Sequence, residues 1–546
     1  MKKGIYLNDS IHGLILLSEY EKRVISSIGF NRLHDVYQNS TVYLTFPTNR
    51  TKRFEHSIGT MKLCSDMFFS SVLNAQSEIL NEFYAIFQDQ YQGIINEIEK
   101  NFAIYEQELG GITPSQMPQI QFDKFRHSLV PHNVPEQYQI LHLILIQSIR
   151  ISALLHDIGH PPFSHVVENA LKSVYTKWNK IDKEKLKRAI DFCDVMSQYF
   201  GAKQKLHERM GNEISDNILK EVIVPITDEE SEAYNENLFE VLVLESVKRI
   251  FSEKAPFSYL HRIIDSSLDG DRLDYVTRDS INSGMNSGKI DYNRIINDMQ
   301  LMVMDKAIYF CVPLKAINSV EDFIKRRYNI YKDIVYHHRV IKTDCLLEYS
   351  VRDLVNKYLK DSRTEKRNNK VLIPYDISGL WFPLGGGSKV EKANALSQWN
   401  DSWLMTILKQ IYYTEYYRNM KIQEGSEEYI LQQRLSELLR NKRCYYSLIK
   451  RSENFKLIDD AVKEQLVQSR DEIDQLLKKI SQSSIFAKEK MSKQEEKNAL
   501  RGATVDITGT LDFIREVLGS IRPSNGFVLS YISKRYKAIN IESFEM

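Results

Sequence analysis

The stretch that decides the fold is residues 154–165, which read Leu-Leu-His-Asp-Ile-Gly-His-Pro-Pro-Phe-Ser-His. It follows an apolar run with helical spacing, and Gly159 and two prolines end the predicted helix. Burying polar groups here without partners would be costly, so the stretch predicts a polar site inside a helical core. Four histidines and acids crowd at this helix end: His156, Asp157, His160 and His165.

An adjacent His–Asp pair can offer an imidazole nitrogen and a carboxylate oxygen to one cation. This donor set suits Mn, Fe or Zn and, less well, Mg. Alone, a His–Asp dipeptide is more typical of a surface ion pair or a capped helix end, but the neighbouring histidines favour a metal site. Further ligand candidates lie in Arg53-Phe-Glu-His56 upstream and Asp271-Arg-Leu-Asp-Tyr275 downstream.

The fold class predicted from the rest of the chain is mainly α. Apolar residues recur mostly at helical spacing, and only 13 of 546 residues are proline. We expect a helical core around the motif, a helical insertion, and a C-terminal α-rich lobe with few short strands. Short strands are expected near Val42–Phe46 and Ala307–Val312.

Four segments are predicted along the chain. Residues 1–70 form the N-terminal part of the core with the first metal ligand, and residues 71–139 are an inserted segment, first helical and then loop after Gly110-Gly111. Residues 140–360 form the catalytic core. Residues 361–546 form a helical lobe for oligomerisation and regulation.

Composition excludes several classes of protein. Lys plus Arg is 73 against 72 for Asp plus Glu, so no global positive field attracts nucleic acid and any anion site is local. Five separated cysteines without a CxxC pair argue against disulfides and zinc knuckles. The N-terminal residues lack the apolar stretch that is typical of a signal peptide, and the apolar run of residues 141–151 is interrupted by His142, Gln147 and Arg150. We expect a cytoplasmic protein with no membrane partner.

The order His, His-Asp, Asp in RFEHSIG, ALLHDIGHPPFSH and DGDRLDYVTRD resembles the HD superfamily. Within it, the chain is most similar to the deoxynucleoside triphosphate (dNTP) triphosphohydrolases. The resemblance begins at Asn8-Asp-Ser-Ile-His-Gly13, ends at Tyr336-His-His-Arg339, and covers roughly residues 5–350 apart from the insert. It implies that the metal ligands are His56, His156, Asp157 and Asp271.

The resemblance also implies substrate contacts. Arg53, three residues before His56, would grip phosphate oxygens, with a surface salt bridge to Glu55 as the alternative. Asp271, Tyr275 and Asp279 share one helix face by their i, i+4 spacing, and the last two would contact the deoxyribose unless Tyr275 is a core residue. Three further contacts, for which a plain helical core is the alternative, are expected from Gln38 on the sugar, Tyr336 packing on it, and Arg339 on phosphate.

The catalytic residues implied by the resemblance are histidines with acidic partners. His165 would protonate the leaving sugar oxygen, oriented by Glu168 three residues later on a helix that Ser164 could cap; many relatives have Asp at this partner position. His160, one helical turn after His156, would face the phosphates. His207 and Glu208 resemble a further pair lining the site, with a structural role for His207 as the alternative.

The implied activity is hydrolysis of dNTPs to deoxynucleoside and inorganic triphosphate at a divalent transition metal (Mn, Fe or Zn), with Mg on the substrate phosphates. The predicted partners are the dNTP, a nucleotide activator or inhibitor, further copies of the chain from dimer to hexamer, and weakly bound single-stranded nucleic acid. Relatives that bind a guanine activator carry Asp, Gln and Arg where this chain has Ser26, Asn31 and His34, so we expect no guanine-specific site of that kind.

Two other functions stay open at this stage. One is an HD phosphodiesterase acting on cyclic nucleotides, nucleic acid or alarmones, because the same metal cradle serves those reactions. The other is a nucleotide sensor without turnover, although all four ligand positions are intact. The biological setting is open between antiphage depletion of dNTPs and housekeeping control of the pool.

Overall fold

The apolar run before the motif forms helix α6, Gln139–Leu155, in the computed structural model of the chain. Every residue of α6 from Leu141 onward is buried. It packs against α3, Arg53–Leu73, and α10, Ser231–Phe251. Among the described residues, one stretch, Glu136–Leu155, is long and apolar enough to cross a membrane, but 83% of its most apolar window is buried in the structure. Such burial is typical of a central core helix.

The structure describes residues 5–180, 186–200, 205–226, 231–285, 291–361, 372–385 and 388–445. Helices dominate these ranges, which confirms the mainly α prediction. Besides α3, α6 and α10, the helices are α1 (Glu19–Ile25), α2 (Ile28–Asn31), α4 (Ser77–Lys100), α5 (Lys124–Leu129), α7 (His165–Trp178), α8 (Lys187–Phe200), α9 (Leu206–Val222), α11 (Phe257–His261), α12 (Gly270–Asn282), α13 (Tyr292–Asn297), α14 (Ile317–Ile330), α15 (His338–Lys360), α16 (Lys389–Gln398), α17 (Asp401–Ile411) and α18 (Glu427–Arg440). Single π-helical turns occur at Tyr331–Val335 and Tyr412–Tyr416.

The strands of the described residues form two antiparallel hairpins. Strand β1 (Ile5–Asp9) pairs with β2 (Gly13–Leu17), and β3 (Gln300–Met304) pairs with β4 (Ala307–Cys311). The predicted strand near Ala307 is therefore confirmed.

The predicted strand at Val42–Phe46 is wrong, because Val42–Leu44 is a 3-10 turn. Its β-branched and aromatic residues pack instead as a turn, with Val42 buried against Ile334 and Val340. Thr41 just before the turn hydrogen-bonds the side chains of Thr343 and Asp344 on α15. These long-range contacts override the local strand propensity.

Within residues 71–139, predicted as an inserted segment, α4 covers much of the first half, and residues 110–123 contain no helix or strand. The four segment boundaries stay a prediction. The chain divides into two compact units between Leu435 and Ser436. Residues 446–546 lie outside the described residues, and so does most of the predicted oligomerisation and regulatory lobe.

The polar residues that interrupt α6 are buried and bonded. Arg150 donates to both carboxylate oxygens of Glu21, at 2.6 and 2.8 Å, and Gln147 donates to Glu21 at 2.7 Å. His142 contacts the Tyr84 hydroxyl at 2.8 Å and the Leu129 carbonyl at 2.9 Å. His142, Gln147 and Arg150 thus each have the partners that their burial requires.

His142 predicts one component of the pH dependence of stability. Burial lowers its pKa from 6.5 to about 4, so below pH 6.5 the unfolded chain binds a proton that the folded chain does not. This histidine alone should reduce the free energy of unfolding by about 3 kcal/mol between pH 6.5 and 4. In urea titrations across this range, His142→Gln should show a shallower loss of stability, and an identical pH slope in both proteins would contradict the assignment.

Candidate metal centre

The first part of the site is set by the start of helix α3. Glu55 accepts a hydrogen bond from the backbone N–H of Lys52 at 2.6 Å, which caps the helix just before Arg53. His56 follows one turn later and is fully buried. Its burial results from the close packing of α3 on α12, where a Cβ at Gly59 would lie 1.9 Å from Asp274 Oδ1. Only glycine allows this approach.

The second part of the site follows the end of helix α6. His156 is the C-cap of the helix, and a turn over residues 156–159 presents Asp157. A Cβ at Gly159 would lie 2.0 Å from the His207 carbonyl, so this glycine lets α9 pack directly on the turn. The prediction that His160 lies one helical turn after His156 is wrong, because α6 ends at Leu155. The turn nevertheless places His160 Nδ1 3.2 Å from Asp157 Oδ1.

The four predicted metal ligands converge. His56 Nε2 lies 3.5 Å from Asp157 Oδ2 and 2.9 Å from Asp271 Oδ1. His156 Nε2 lies 3.4 and 3.6 Å from the same two oxygens. With metal–ligand bonds of about 2.0–2.2 Å, neighbouring donor atoms around one ion lie roughly 2.8–3.6 Å apart. The spacing therefore fits one divalent transition metal held by two nitrogens and two oxygens.

The electrostatics of the four residues also fit a cation. His56 Nε2 and His156 Nε2 are buried without a hydrogen-bond partner among the described residues. Burial lowers the pKa of His56, but the carboxylates of Asp271 and Asp274 outweigh it and raise the pKa to about 10. Burial raises the pKa of Asp157, yet Arg53, His156 and His160 hold it well below its usual range. Such a site needs a positive charge at its centre, which a proton or a metal ion can supply.

A second cluster of side chains, the three-histidine cluster of His160, His165 and His207, adjoins the predicted metal ligands. The rings of His160 and His207 stack at 4.4 Å, and that of His165 lies 5.0 and 4.9 Å from them. Glu168 accepts hydrogen bonds from His207 Nδ1 at 2.8 Å, from His165 Nδ1 at 3.3 Å and from the Leu206 N–H at 2.9 Å. Burial raises the pKa of Glu168, but both histidines lower it well below its usual value, so the carboxylate is ionised.

Glu208 does not join this cluster. Its side chain accepts from the Lys205 N–H at 3.1 Å and pairs with the Lys205 ammonium at 3.2 Å, which caps α9. His207 pairs with Glu168 instead.

Arg53 is buried and does not form the surface salt bridge that was its alternative. Its guanidinium contacts Asp157 and donates to Ser164 Oγ, at 2.9 Å from Nη2 and 3.2 Å from Nε. The predicted N-cap role of Ser164 is wrong, because its backbone adopts φ 51° and its side chain makes no capping bond. The hydroxyl orients Arg53 beside the metal ligands.

The predicted sugar contacts lie in two groups. Gln38 Oε1 and Asp279 Oδ1 are buried acceptors without a partner among the described residues. The Gln38 backbone N–H donates to the Thr51 carbonyl at 2.9 Å, and the side chains of Asn39 and Thr51 lie near the Asp279 carboxyl group. Burial raises the pKa of Asp279 to about 6. In the other group, the Tyr275 hydroxyl accepts from Arg327 Nε at 3.0 Å, and Tyr336 lies one π-helical turn after Tyr331, with ring centroids 5.7 Å apart. Arg339 is exposed in the first turn of α15.

Three buried residues that support the site were not predicted from the sequence. Asp401 at the start of α17 accepts the backbone N–H groups of Phe163 at 2.6 Å and Tyr37 at 2.8 Å. Arg32 donates to the carbonyls of His160 and Trp399, each at 3.1 Å. Asp274 accepts from His56 Nδ1 at 2.8 Å. Asp274 stands within the DGDRLDY motif, where the acidic residue three positions after Asp271 was the available signal.

The metal assignment predicts that Asp271→Ala loses most of the bound metal. The reconstituted protein should carry about one divalent ion per chain, and removal of one of four ligands should reduce that content severalfold. Metal content after desalting measures this. The matched control is Asp265→Ala, since the Asp265 side chain is 66% exposed and pairs with Arg272 instead. Equal metal content in both variants would refute the ligand set.

A profile of the HD domain matches residues 144–246, which include His156, Asp157 and the three-histidine cluster. An uncharacterized protein of Methanocaldococcus jannaschii is 24% identical over 63% of this chain and 49% of its own length. Deoxynucleoside triphosphate triphosphohydrolase SAMHD1 of Xenopus laevis is 23% identical over 68% and 48%. The chain thus spans about half the length of these relatives.

Among solved structures, a phosphohydrolase of Bacteroides thetaiotaomicron VPI-5482 aligns at a TM-score of 0.47 and 17% identity, over 86% of this chain and 84% of that chain. The sequence matches extend over roughly two thirds of the chain. The chain therefore contains an HD domain, the domain of the HD phosphohydrolase superfamily, and its homologues include deoxynucleoside triphosphate triphosphohydrolases at low identity.

Proposed function

We propose that the chain hydrolyses dNTPs to deoxynucleoside and inorganic triphosphate. The observation that carries the proposal is the junction of two clusters at Asp157. One carboxylate oxygen, Oδ2, faces the ligand atoms of His56 and His156, and the other, Oδ1, lies 3.2 Å from His160 of the three-histidine cluster. Asp157 therefore joins the predicted metal ligands to the three-histidine cluster that contains His165.

A divalent metal bound by His56, His156, Asp157 and Asp271 would supply Lewis-acid activation of the phosphate and of water. The chain itself supplies the phosphate contact. Arg53 keeps its guanidinium plane fixed through Asp157 and Ser164, and such a preorganised donor set suits phosphate oxygens.

The general acid in this proposal is His165. Its side chain is 60% exposed, so it can reach a leaving group, while Glu168 holds its Nδ1. The ionised Glu168 accepts a hydrogen bond from this ring and so orients it. Water adds its oxygen to the α-phosphorus and loses a proton to the solvent, the bond from phosphorus to the sugar 5′ oxygen breaks, and His165 transfers its proton to that oxygen. His165 then regains a proton from the solvent.

Two unpaired acceptors support a sugar beside the phosphates. Gln38 Oε1 and Asp279 Oδ1 are buried, and a buried acceptor without a donor costs about 1–3 kcal/mol. A sugar hydroxyl that reached either acceptor would donate to it and relieve that cost. This favours a nucleotide over inorganic polyphosphate as the substrate.

The absence of a guanine-specific activator site remains part of the proposal. The Asn31 amide donates to the Ile25 and Ser27 carbonyls, and the His34 ring stacks on Phe54 at 3.5 Å. Both side chains already have partners within the fold. A nucleotide that regulates the chain would therefore be recognised by contacts other than the guanine-reading set of the relatives.

The substrate is tested by incubating the metal-reconstituted chain with each dNTP and NTP, singly and mixed, and separating the products by ion exchange. We expect unbranched tripolyphosphate and deoxynucleoside in equal amounts. Diphosphate with nucleoside monophosphate would refute the reaction. Hydrolysis of a cyclic dinucleotide without dNTP turnover would favour a phosphodiesterase, and binding without turnover would favour a sensor.

The acid assignment predicts that His165→Gln lowers kcat by about 10²–10⁴-fold, since Gln cannot transfer a proton. Metal content should stay at the parent level, because His165 is not a ligand in this proposal. His132→Asn, a change at an exposed histidine of the insert, is the control and should keep the parent rate. A kcat within threefold of the parent in His165→Gln would remove His165 from the proton transfer.

A further inference from the structure

The motif Asn8-Asp-Ser-Ile-His-Gly13 forms the turn of the β1–β2 hairpin, far in sequence from the metal ligands. Asp9 Oδ1 accepts the backbone N–H groups of Ile11 at 2.9 Å and His12 at 2.8 Å, and Gly13 has φ 72°. These bonds fix the turn. They direct the His12 side chain, which is 3% exposed, into the core.

The His12 ring joins α12 to α13. Its Nε2 lies 2.6 Å from Asp274 Oδ1, and its Nδ1 lies 3.2 Å from the Tyr292 hydroxyl. The carboxylate can only accept while the hydroxyl can donate, so the two contacts select the tautomer with its proton on Nε2. His12 therefore donates to Asp274.

Asp274 is the hub of this network. Besides His12, it accepts from Arg278 Nε at 2.9 Å and Nη2 at 2.8 Å, and Arg278 in turn donates to Asp9 Oδ2 at 2.8 Å. The remaining contact is with His56 Nδ1 at 2.8 Å. The hairpin turn thus connects to the predicted metal ligand His56 by two routes that share the Asp274 carboxylate. One route runs through His12, and the other runs through Asp9 and Arg278.

The contact with Asp274 determines what His56 presents to the metal. Because Asp274 accepts from Nδ1–H, the proton of the neutral ring stays on Nδ1 and the lone pair of Nε2 points toward Asp157 and Asp271. Outer contacts of this kind fix the orientation and basicity of a ligating histidine. Loss of the His12 donor would free Asp274 to shift, and His56 with it.

We propose that His12 is a positioning residue of the metal centre, acting through Asp274 on His56. The N-terminal hairpin is then part of the metal site and does more than cover the core. The inference rests on the metal ligands of the proposed function but not on the dNTP as substrate.

The test compares His12→Leu with His12→Gln in the full chain. Leu removes the donor, whereas the Gln amide nitrogen reaches about where imidazole Nε2 lies and still donates to Asp274. The readouts are Co²⁺ affinity, by competition with a chelator, and the visible absorption of bound Co²⁺. We expect His12→Leu to weaken Co²⁺ binding about 10- to 100-fold with an altered spectrum, and His12→Gln to stay within about threefold of the parent.

The matched control is His142→Leu, which removes another buried histidine with two hydrogen bonds, outside the metal site. It should lower stability while Co²⁺ affinity stays at the parent value. If His12→Leu does not fold, His12→Asn replaces it, since the shorter amide cannot span the distance to Asp274 and should weaken Co²⁺ binding in the same way.

Unchanged Co²⁺ affinity and spectrum in folded His12→Leu or His12→Asn would overturn the inference and show that His12 only clamps the fold. That result would leave dNTP hydrolysis untouched. Conversely, weakened binding in a protein that turns over no dNTP would support the role of His12 and reject the proposed substrate.

Discussion

The structure depends on the burial of one imidazole among three carboxylates. His56 is fully buried, with Asp274 2.8 Å from Nδ1, Asp271 2.9 Å from Nε2 and Asp157 3.5 Å from Nε2. Carboxylates this close repel one another strongly in a poorly solvated interior unless a cation lies between them. Helices α3 and α12 and the turn after α6 meet at the position of that cation. The packing of these elements therefore also assembles the site.

The remaining charge is balanced locally, although the whole chain is nearly neutral at +1. Arg278 offsets Asp274 and Asp9, Arg150 offsets Glu21, and Arg53 offsets Asp157. The Asp157 contact does not remove Arg53 from phosphate binding. A guanidinium has five N–H donors, and its contacts with Asp157 and Ser164 leave donors to spare. Arg53 can therefore hold a ligand residue and an anion together.

The sequence predicted which residues come together at the candidate site, but it did not predict the residues that support them. His156 and Asp157 stood out because such residues are rare at the end of an apolar helix. Glycines explain part of the geometry, since Gly59 and Gly159 mark the closest helix contacts. Sequence spacing favoured Glu208 as the partner of His207, because the two residues are adjacent. The structure instead pairs His207 with Glu168, which lies 39 positions earlier in the chain. Sequence spacing also did not predict the hydrogen bond between the Ser164 hydroxyl and Arg53. Both this contact and the His207–Glu168 pair join segments that are distant in the chain.

The segment after residue 361 shows why function cannot be divided by sequence position. This segment was expected to serve assembly and regulation. Its residue Asp401, however, accepts the backbone N–H of Tyr37, next to Gln38, and that of Phe163, two residues before His165. Phe163 and Ser164 have φ of 53° and 51°, which side-chain-bearing residues rarely adopt. Burial raises the pKa of Asp401 to about 6, so it remains ionised at neutral pH and can hold the Phe163 N–H. The strained turn that orients Arg53 is thus stabilised from outside the matched HD domain, and the structure that supports the candidate site extends at least to α17.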